Sequence, residues 1–189
     1  MKALTTKVIT AEEYLSLEEK SESRNEFING TIIEMPGGSK IHNNLCLNYT
    51  FILRGALKGR DCEIFSEGVK VELLPEKNYF YPDVVVSCDE RDKFDSHFLR
   101  YPSLVIEVLS DSNYLYDRVD KFLLYRKLET LEQYILVTQQ SCHIESYCRS
   151  EGWKKVVFTD LEAWVEIKHL GISIKLEDIY EGVFSKEIY

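Results

Sequence analysis

Two runs constrain the fold more than any other feature: residues 79–87 and 104–109. Both are rich in Val and Ile, residues that suit a pleated strand. Their near-continuous apolar character predicts burial on both faces, as at the centre of a mixed sheet. Each run also carries a carboxylate. Asp83 follows Pro82 and opens Val84-Val85-Val86, and Glu107 interrupts Leu104-Val105-Ile106 and Val108-Leu109. An ionised carboxylate in a buried strand is costly unless it is paired or binds a metal. Two of them on neighbouring strands repel unless a cation stands between them. Such oxygen donors suit Mg²⁺ or Mn²⁺. The plainer alternatives are a Glu107 paired with Lys or Arg, and an Asp83 that merely ends a strand.

The remaining elements follow from local signals. Thr10-Ala-Glu-Glu13 is a capping box that starts a short helix reaching about residue 19. Asn29-Gly30 supplies the two positive-φ residues of a type I′ turn, so 26–33 is a hairpin. Ser39 caps a helix over 40–58, with Ile41, Leu45, Leu47, Phe51, Ile52 and Leu57 as its apolar face and Gly59 as its stop. Short strands are expected at 62–66 and 69–74, with Glu67-Gly68 as a bend or bulge between them. The charged stretch 89–96 is a loop or short helix. A helix over 113–128 and a strand over 132–138 complete a crossover unit with 104–109. Short strands at 143–149, 154–158, 164–167 and 172–176 and a helical turn at 177–180 form a C-terminal β extension. The class is α/β (α+β): a mixed sheet flanked by helices behind an N-terminal helix and hairpin.

The chain has 189 residues, no repeat and no linker-like tract, which fits one domain over 1–189 with a core of about 10–183. Hydrophobic residues make up 44% and aromatic residues 12%, too many for a disordered chain. No apolar stretch is long enough to span a bilayer, and residues 1–14 lack the apolar core of a secretory signal. The expected setting is the cytoplasm, with no membrane partner. Net charge is −9, which argues against retention on nucleic acid by bulk electrostatics but leaves room for a local basic groove. The five cysteines, at 46, 62, 88, 142 and 148, form no C-x-x-C pair, and their odd number leaves at least one thiol unpaired. Reduced thiols are the expectation. A zinc site of Cys142, His143 and Cys148 has a spacing unlike common ligand patterns.

In the helix after Glu107, Asp117, Lys121 and Tyr125 stand at i, i+4 and i+8 on one face, with Val119, Phe122 and Leu123 assigned to the core. Because the helix follows the Glu107 strand directly, its polar face could bring Lys121 to the carboxylates. Asp117–Lys121 is equally an ordinary solvated pair. Glu26, ahead of the Asn29-Gly30 turn, reads as a solvent-side hairpin residue or a further acid. His42, in the first turn of its helix, reads as structural or as part of a site.

Taken together, Tyr81-Pro82-Asp83, Glu107-Val108-Leu109-Ser110 and Asp117-Arg118-x-x-Lys121-x-x-x-Tyr125 resemble the PD-(D/E)XK nuclease superfamily. More narrowly they resemble its Uma-two family of restriction-endonuclease-like proteins, a bacterial domain of unknown function. Arg24-Asn-Glu26-Phe-Ile-Asn-Gly30, Ser39-x-x-His42 and Gln133-Tyr-Ile-Leu-Val137 resemble that family too, over about residues 10–183. The superfamily's usual lysine, two residues after the Glu, is Leu109 here, and Lys121 takes the place to which this family moves it. Asp111 and Asn113 stand where the family often has Pro and Thr, and Gln133 and Thr138 replace acidic residues.

The resemblance implies metal-dependent phosphodiester hydrolysis, with DNA the expected substrate, giving a 5′-phosphate and a 3′-hydroxyl. It implies that Asp83, Glu107 and the Val108 carbonyl bind Mg²⁺ (or Mn²⁺), that Lys121 and Glu26 join them as catalytic groups, and that His42, Asp117 and Tyr125 are accessory. A cationic rim would come from Lys58, Arg60, Arg91, Lys93, Arg118, Arg126 and Lys127. A homodimer would suit two-strand cleavage. Two competing readings are a catalytically inactive nuclease-like interaction or nucleic-acid-binding module, and a Mg²⁺ phosphohydrolase of small phosphoesters.

Overall fold

The computed structural model describes residues 8–35, 37–109 and 116–184. In chain order its elements are α1 (Ala11–Glu18), β1 (Asn25–Ile28), β2 (Thr31–Glu34), α2 (Lys40–Ala56), β3 (Glu63–Ser66), β4 (Lys70–Leu73), β5 (Asn78–Phe80) and β6 (Val84–Ser87). A 3₁₀ turn (Glu90–Phe94) leads to β7 (Phe98–Leu99) and β8 (Leu104–Leu109). A π-helical turn (Tyr116–Lys121) runs into α3 (Phe122–Tyr125). Then come β9 (Gln133–Thr138), β10 (Ile144–Cys148), β11 (Lys155–Phe158), β12 (Trp164–Ile167), β13 (Ile172–Lys175) and α4 (Leu176–Ile179).

The strands form a six-stranded sheet in the order β11-β10-β9-β8-β6-β3 and a five-stranded sheet in the order β2-β1-β5-β4-β7, with β12 and β13 as a separate hairpin. β8 and β9 are parallel, so the segment between them is the expected crossover. β8 is buried along its whole length, as its composition predicts. The first turn of α1 closes its capping box: the Thr10 hydroxyl accepts from Glu13 N–H at 3.1 Å, and Glu13 accepts from Thr10 N–H at 2.8 Å. Asn29 (φ 47°) and Gly30 (φ 89°) make the predicted hairpin turn.

The chain changes sheets at two places. At Glu67 (φ 43°) and Gly68 (φ 127°) it passes from β3 in the six-stranded sheet to β4 in the five-stranded sheet. At 81–83 it passes back, so the continuous run expected over 79–87 is two strands, β5 and β6. Pro82 has no N–H for a ladder and sits at that break. The two crossings abut: Glu67 N–H donates to the Asp83 carbonyl at 3.1 Å.

Helix faces differ from expectation. The buried stripe of α2 is Leu45, Cys46, Tyr49 and Leu53, while Leu47 and Phe51 face outward, Phe51 at 81% exposure. In the crossover, Val119 and Leu123 are exposed and the Lys121–Phe122–Tyr125 face is buried. The start of the helix expected at 113 lies outside the described residues. The thiols are not all reduced: Cys62 and Cys88 form a disulfide, leaving Cys46, Cys142 and Cys148 free. The β3–β6 register pairs Glu63 with Ser87, and one residue further it sets Cys62 opposite Cys88. Among the described residues no helix is long and apolar enough to cross a membrane.

Candidate active site

The switch points of the two sheets open onto a cleft of about 430 Å³, lined among others by Arg24, His42, Glu67, Asp83, Glu107 and Lys121. The β6–β8 register pairs Val84 with Ile106. Extended by one residue, it sets Asp83 directly opposite Glu107. Like charges so placed destabilise a sheet unless cations intervene. A lysine and a histidine flank the pair, one on each side.

Lys121 serves Glu107. Its Nζ lies 3.4 Å from Glu107 Oε1 and 2.9 Å from Glu26 Oε1. All three side chains are buried: Glu26 is 0% exposed, Glu107 2% and Lys121 3%. Lys121 closes the π-helical turn, a geometry that recurs at functional sites. Its ammonium also lies 5.7 Å from the centre of the Phe80 ring. Glu26 comes from β1 in the other sheet, and its Oε1 also accepts from Tyr81 N–H at 3.4 Å. Glu26 thus faces inward rather than toward solvent.

His42 serves Asp83. Its Nε2 lies 3.2 Å from Asp83 Oδ1 and 3.4 Å from Glu67 Oε1. The helix start aims it: the Ser39 hydroxyl accepts from His42 N–H at 3.0 Å and donates to Gln139 Oε1 at 2.6 Å. Gln139 Nε2 in turn donates to the Leu109 carbonyl at 2.9 Å, tying the start of α2 to the end of β8. The other Asp83 oxygen accepts from Val108 N–H at 2.6 Å. Cys46, one turn beyond His42, puts its Sγ 3.7 Å from His42 Nε2. Burial first, then the charges of Asp83, Glu67 and Glu107, push that thiol far above its usual range, so in the absence of a cation it stays protonated.

The cleft therefore gathers Glu26, Glu67, Asp83 and Glu107 against Lys121, His42 and the rim residue Arg24. Asp83, Glu107 and Val108 all line the cleft at one end of β8, two carboxylates and a backbone carbonyl as candidate oxygen donors. The same register sets Val108 opposite Pro82. Without an N–H, Pro82 cannot engage the Val108 carbonyl through the ladder. This donor set fits a hard divalent cation. A second set, His42, Cys46 and Asp83, has ligand atoms within 4.8 Å of one another.

Other expected residues lie elsewhere. Tyr125 packs its ring 5.4 Å from Phe80 and 5.6 Å from Tyr134, in the core beneath the cleft. The side chains of Asp117 and Arg118 lie outside the described residues. Arg91 forks onto Asp89 and Lys93 onto Asp61, while Arg60 donates to the Leu170 carbonyl, so these three are engaged within the protein. Lys58, Arg126 and Lys127 are exposed. Cys142 and Cys148 flank opposite ends of β10, about 20 Å apart at strand rise, and cannot share a zinc ion. Sequence reasoning missed Glu67 and Gln139. The Glu67-Gly68 bend was the one signal for Glu67, and nothing local marks Gln139.

Comparison with known proteins bears on the whole fold. The model of the Uma2 family, described as "Putative restriction endonuclease", matches residues 11–177. An uncharacterized protein of Synechocystis, slr1290, is 36% identical over 176 residues, 93% of each chain. Another from the same organism, sll1609, is 36% identical over 163 residues, 85% of this chain and 92% of its own. The crystal structure of "a putative nuclease belonging to DUF820" from Anabaena variabilis superposes with a TM-score of 0.79 at 20% identity, covering 93% of this chain and 99% of that one.

Proposed function

We propose, from the premise that the chain belongs to the Uma2 family, that it is a divalent-metal-dependent nuclease acting on DNA. The observation that carries this reading is the pair Asp83–Glu107, set opposite each other on neighbouring strands and lining one cleft where the two sheets meet. Two carboxylates so placed form a ready site for a divalent cation.

Asp83, Glu107 and the Val108 carbonyl would hold Mg²⁺ or Mn²⁺. Such an ion neutralises phosphate charge and lowers the pKa of a bound water. The protein's own groups supply the rest. Val108 N–H and His42 fix both oxygens of Asp83 in place. Lys121 keeps a proton donor at the mouth of the Glu26–Glu107 pair, where it can hydrogen-bond the attacking water or the scissile phosphate and stabilise developing negative charge. Glu26 holds the ammonium in that position. Arg24 at the rim suits the flanking phosphate. The products would be a 5′-phosphate and a 3′-hydroxyl.

The chain would act as a single restriction-endonuclease-like domain in the cytoplasm, where the Cys62–Cys88 link is open to reduction. A homodimer would present two such clefts to a duplex. The test is a Mg²⁺ and Mn²⁺ titration with supercoiled plasmid and single-stranded DNA, using wild type, Asp83→Ala and Glu107→Ala. Metal-dependent nicking by wild type alone supports the proposal. Metal binding without cleavage of either substrate would favour the nucleic-acid-binding module, and no metal binding would end the hydrolytic reading.

A further inference from the structure

We infer that His42, Cys46 and Asp83, with Glu67 as fourth ligand, form a tetrahedral site for a borderline cation of the zinc class. It is separate from the oxygen-only site of the proposed hydrolysis and shares Asp83 with it. Zinc bonds His nitrogen at about 2.0–2.1 Å, carboxylate oxygen at about 2.0–2.2 Å and thiolate at about 2.3 Å. In a tetrahedron those lengths set donor atoms about 3.4 Å apart for N and O and about 3.6 Å apart for N and S. His42 Nε2 stands 3.2 Å from Asp83 Oδ1, 3.4 Å from Glu67 Oε1 and 3.7 Å from Cys46 Sγ. Three edges of the figure are thus already in place around one imidazole nitrogen.

The construction is local and rigid. His42 and Cys46 are at i and i+4, on one face of α2, the spacing by which a helix offers two ligands to one ion. Asp83 is fixed through its second oxygen by Val108 N–H. Glu67 projects from the positive-φ bend that faces Asp83 across the two sheet crossings. It is partly exposed, so it can turn toward the ion at little cost. Nitrogen and sulfur donors select zinc, or cobalt as its spectroscopic stand-in, over magnesium. Binding removes the Cys46 proton and withdraws Asp83 Oδ1 from the neighbouring site. Zinc is then an inhibitor of the hydrolysis proposed above, a corollary that rests on that reading, whereas the metal site itself does not.

The probe is Co²⁺ added to metal-free protein, followed by absorption and then displaced with Zn²⁺. The expected result is one equivalent giving visible bands of tetrahedral intensity with a thiolate charge-transfer band, both erased by Zn²⁺ but not by excess Mg²⁺. Cys46→Ser should abolish the charge-transfer band and weaken Zn²⁺ binding by more than about 100-fold, since even outer-sphere partners cost about 10- to 100-fold. Cys148→Ser, another buried free thiol, should leave both unchanged. Glu107→Gln should keep the cobalt spectrum while losing cleavage, which separates failure of this site from failure of the nuclease reading. A weak octahedral spectrum, or a charge-transfer band that survives in Cys46→Ser, overturns the inference. Circular dichroism melts of each variant exclude loss of fold as the cause.

Discussion

Two groups of buried carboxylates, one centred on each sheet, satisfy themselves in different ways. On the five-stranded sheet, Glu72 accepts from Glu76 N–H at 3.1 Å and Tyr79 O–H at 2.8 Å, and its other oxygen takes Arg100, which also reaches Asp95 at 2.5 Å. Burial pushes the Glu72 carboxyl up, but those donors prevail and hold it below its usual range. At the Asp83–Glu107 cleft the acids come from β1, the turn before β6, β8 and the Glu67 bend, and Lys121 is shared by two of them. A structural carboxylate gathers its own donors. The cleft carboxylates come instead from separate strands and turns and are set opposite one another where the two sheets meet, the arrangement expected of a binding site.

Removing charge should therefore affect the two groups differently. Glu107→Gln should lower plasmid cleavage by at least about 1,000-fold, or about 4 kcal/mol of barrier. Glu72→Gln should leave the rate within about twofold, and equal losses in both would break the comparison. Lys121→Met removes the cation shared by two buried carboxylates and should cost about 3 kcal/mol in urea unfolding. Saturating Mn²⁺ should return much of that loss, because a ligand at 100 times its dissociation constant contributes about 2.7 kcal/mol.

Glu72→Gln should cost about 1–3 kcal/mol by leaving donors unmatched. Because the folded Glu72 carboxyl is depressed, its stabilisation is complete above its ordinary value of 4.5 and is lost as pH falls through the lower folded value. Unfolding of wild type and Glu72→Gln should accordingly converge only once the pH falls below that depressed folded value. Divergence there would show that the cluster does not act through ionisation. The smallest change is chemical: under denaturation the oxidised chain should show three reactive thiols and the reduced chain five.

Much of this was legible in local sequence. The Thr10 box, the Asn29-Gly30 turn, the Ser39 cap and the buried β8 strand all depend on neighbours a few residues away. So does the placement of Lys121 one helical start after Glu107, which brings the two within 3.4 Å. What escaped depends on distant pairing. Apolar residues occur on both sides of α2 and of the Lys121 turn, so periodicity alone could not tell Leu47 and Phe51 from the truly buried Cys46 and Tyr49. The Cys62–Cys88 link and the Glu67 contribution follow from the β3–β6 register and from the exchange between sheets, which no short window encodes.

That exchange has a consequence for biosynthesis. The chain visits the five-stranded sheet, leaves it at β3, returns at β4, leaves again at β6 and returns at β7, so no single cut separates one sheet from the other. The cleft draws on positions from Ser23 to Gln139, and β8 gains its parallel neighbour only with β9. A nascent or prematurely terminated chain lacking β9 has the acidic residues but no framework to converge them. The cleft can therefore close only after β9 (Gln133–Thr138) and Gln139 have been synthesised, long after its first acidic residue.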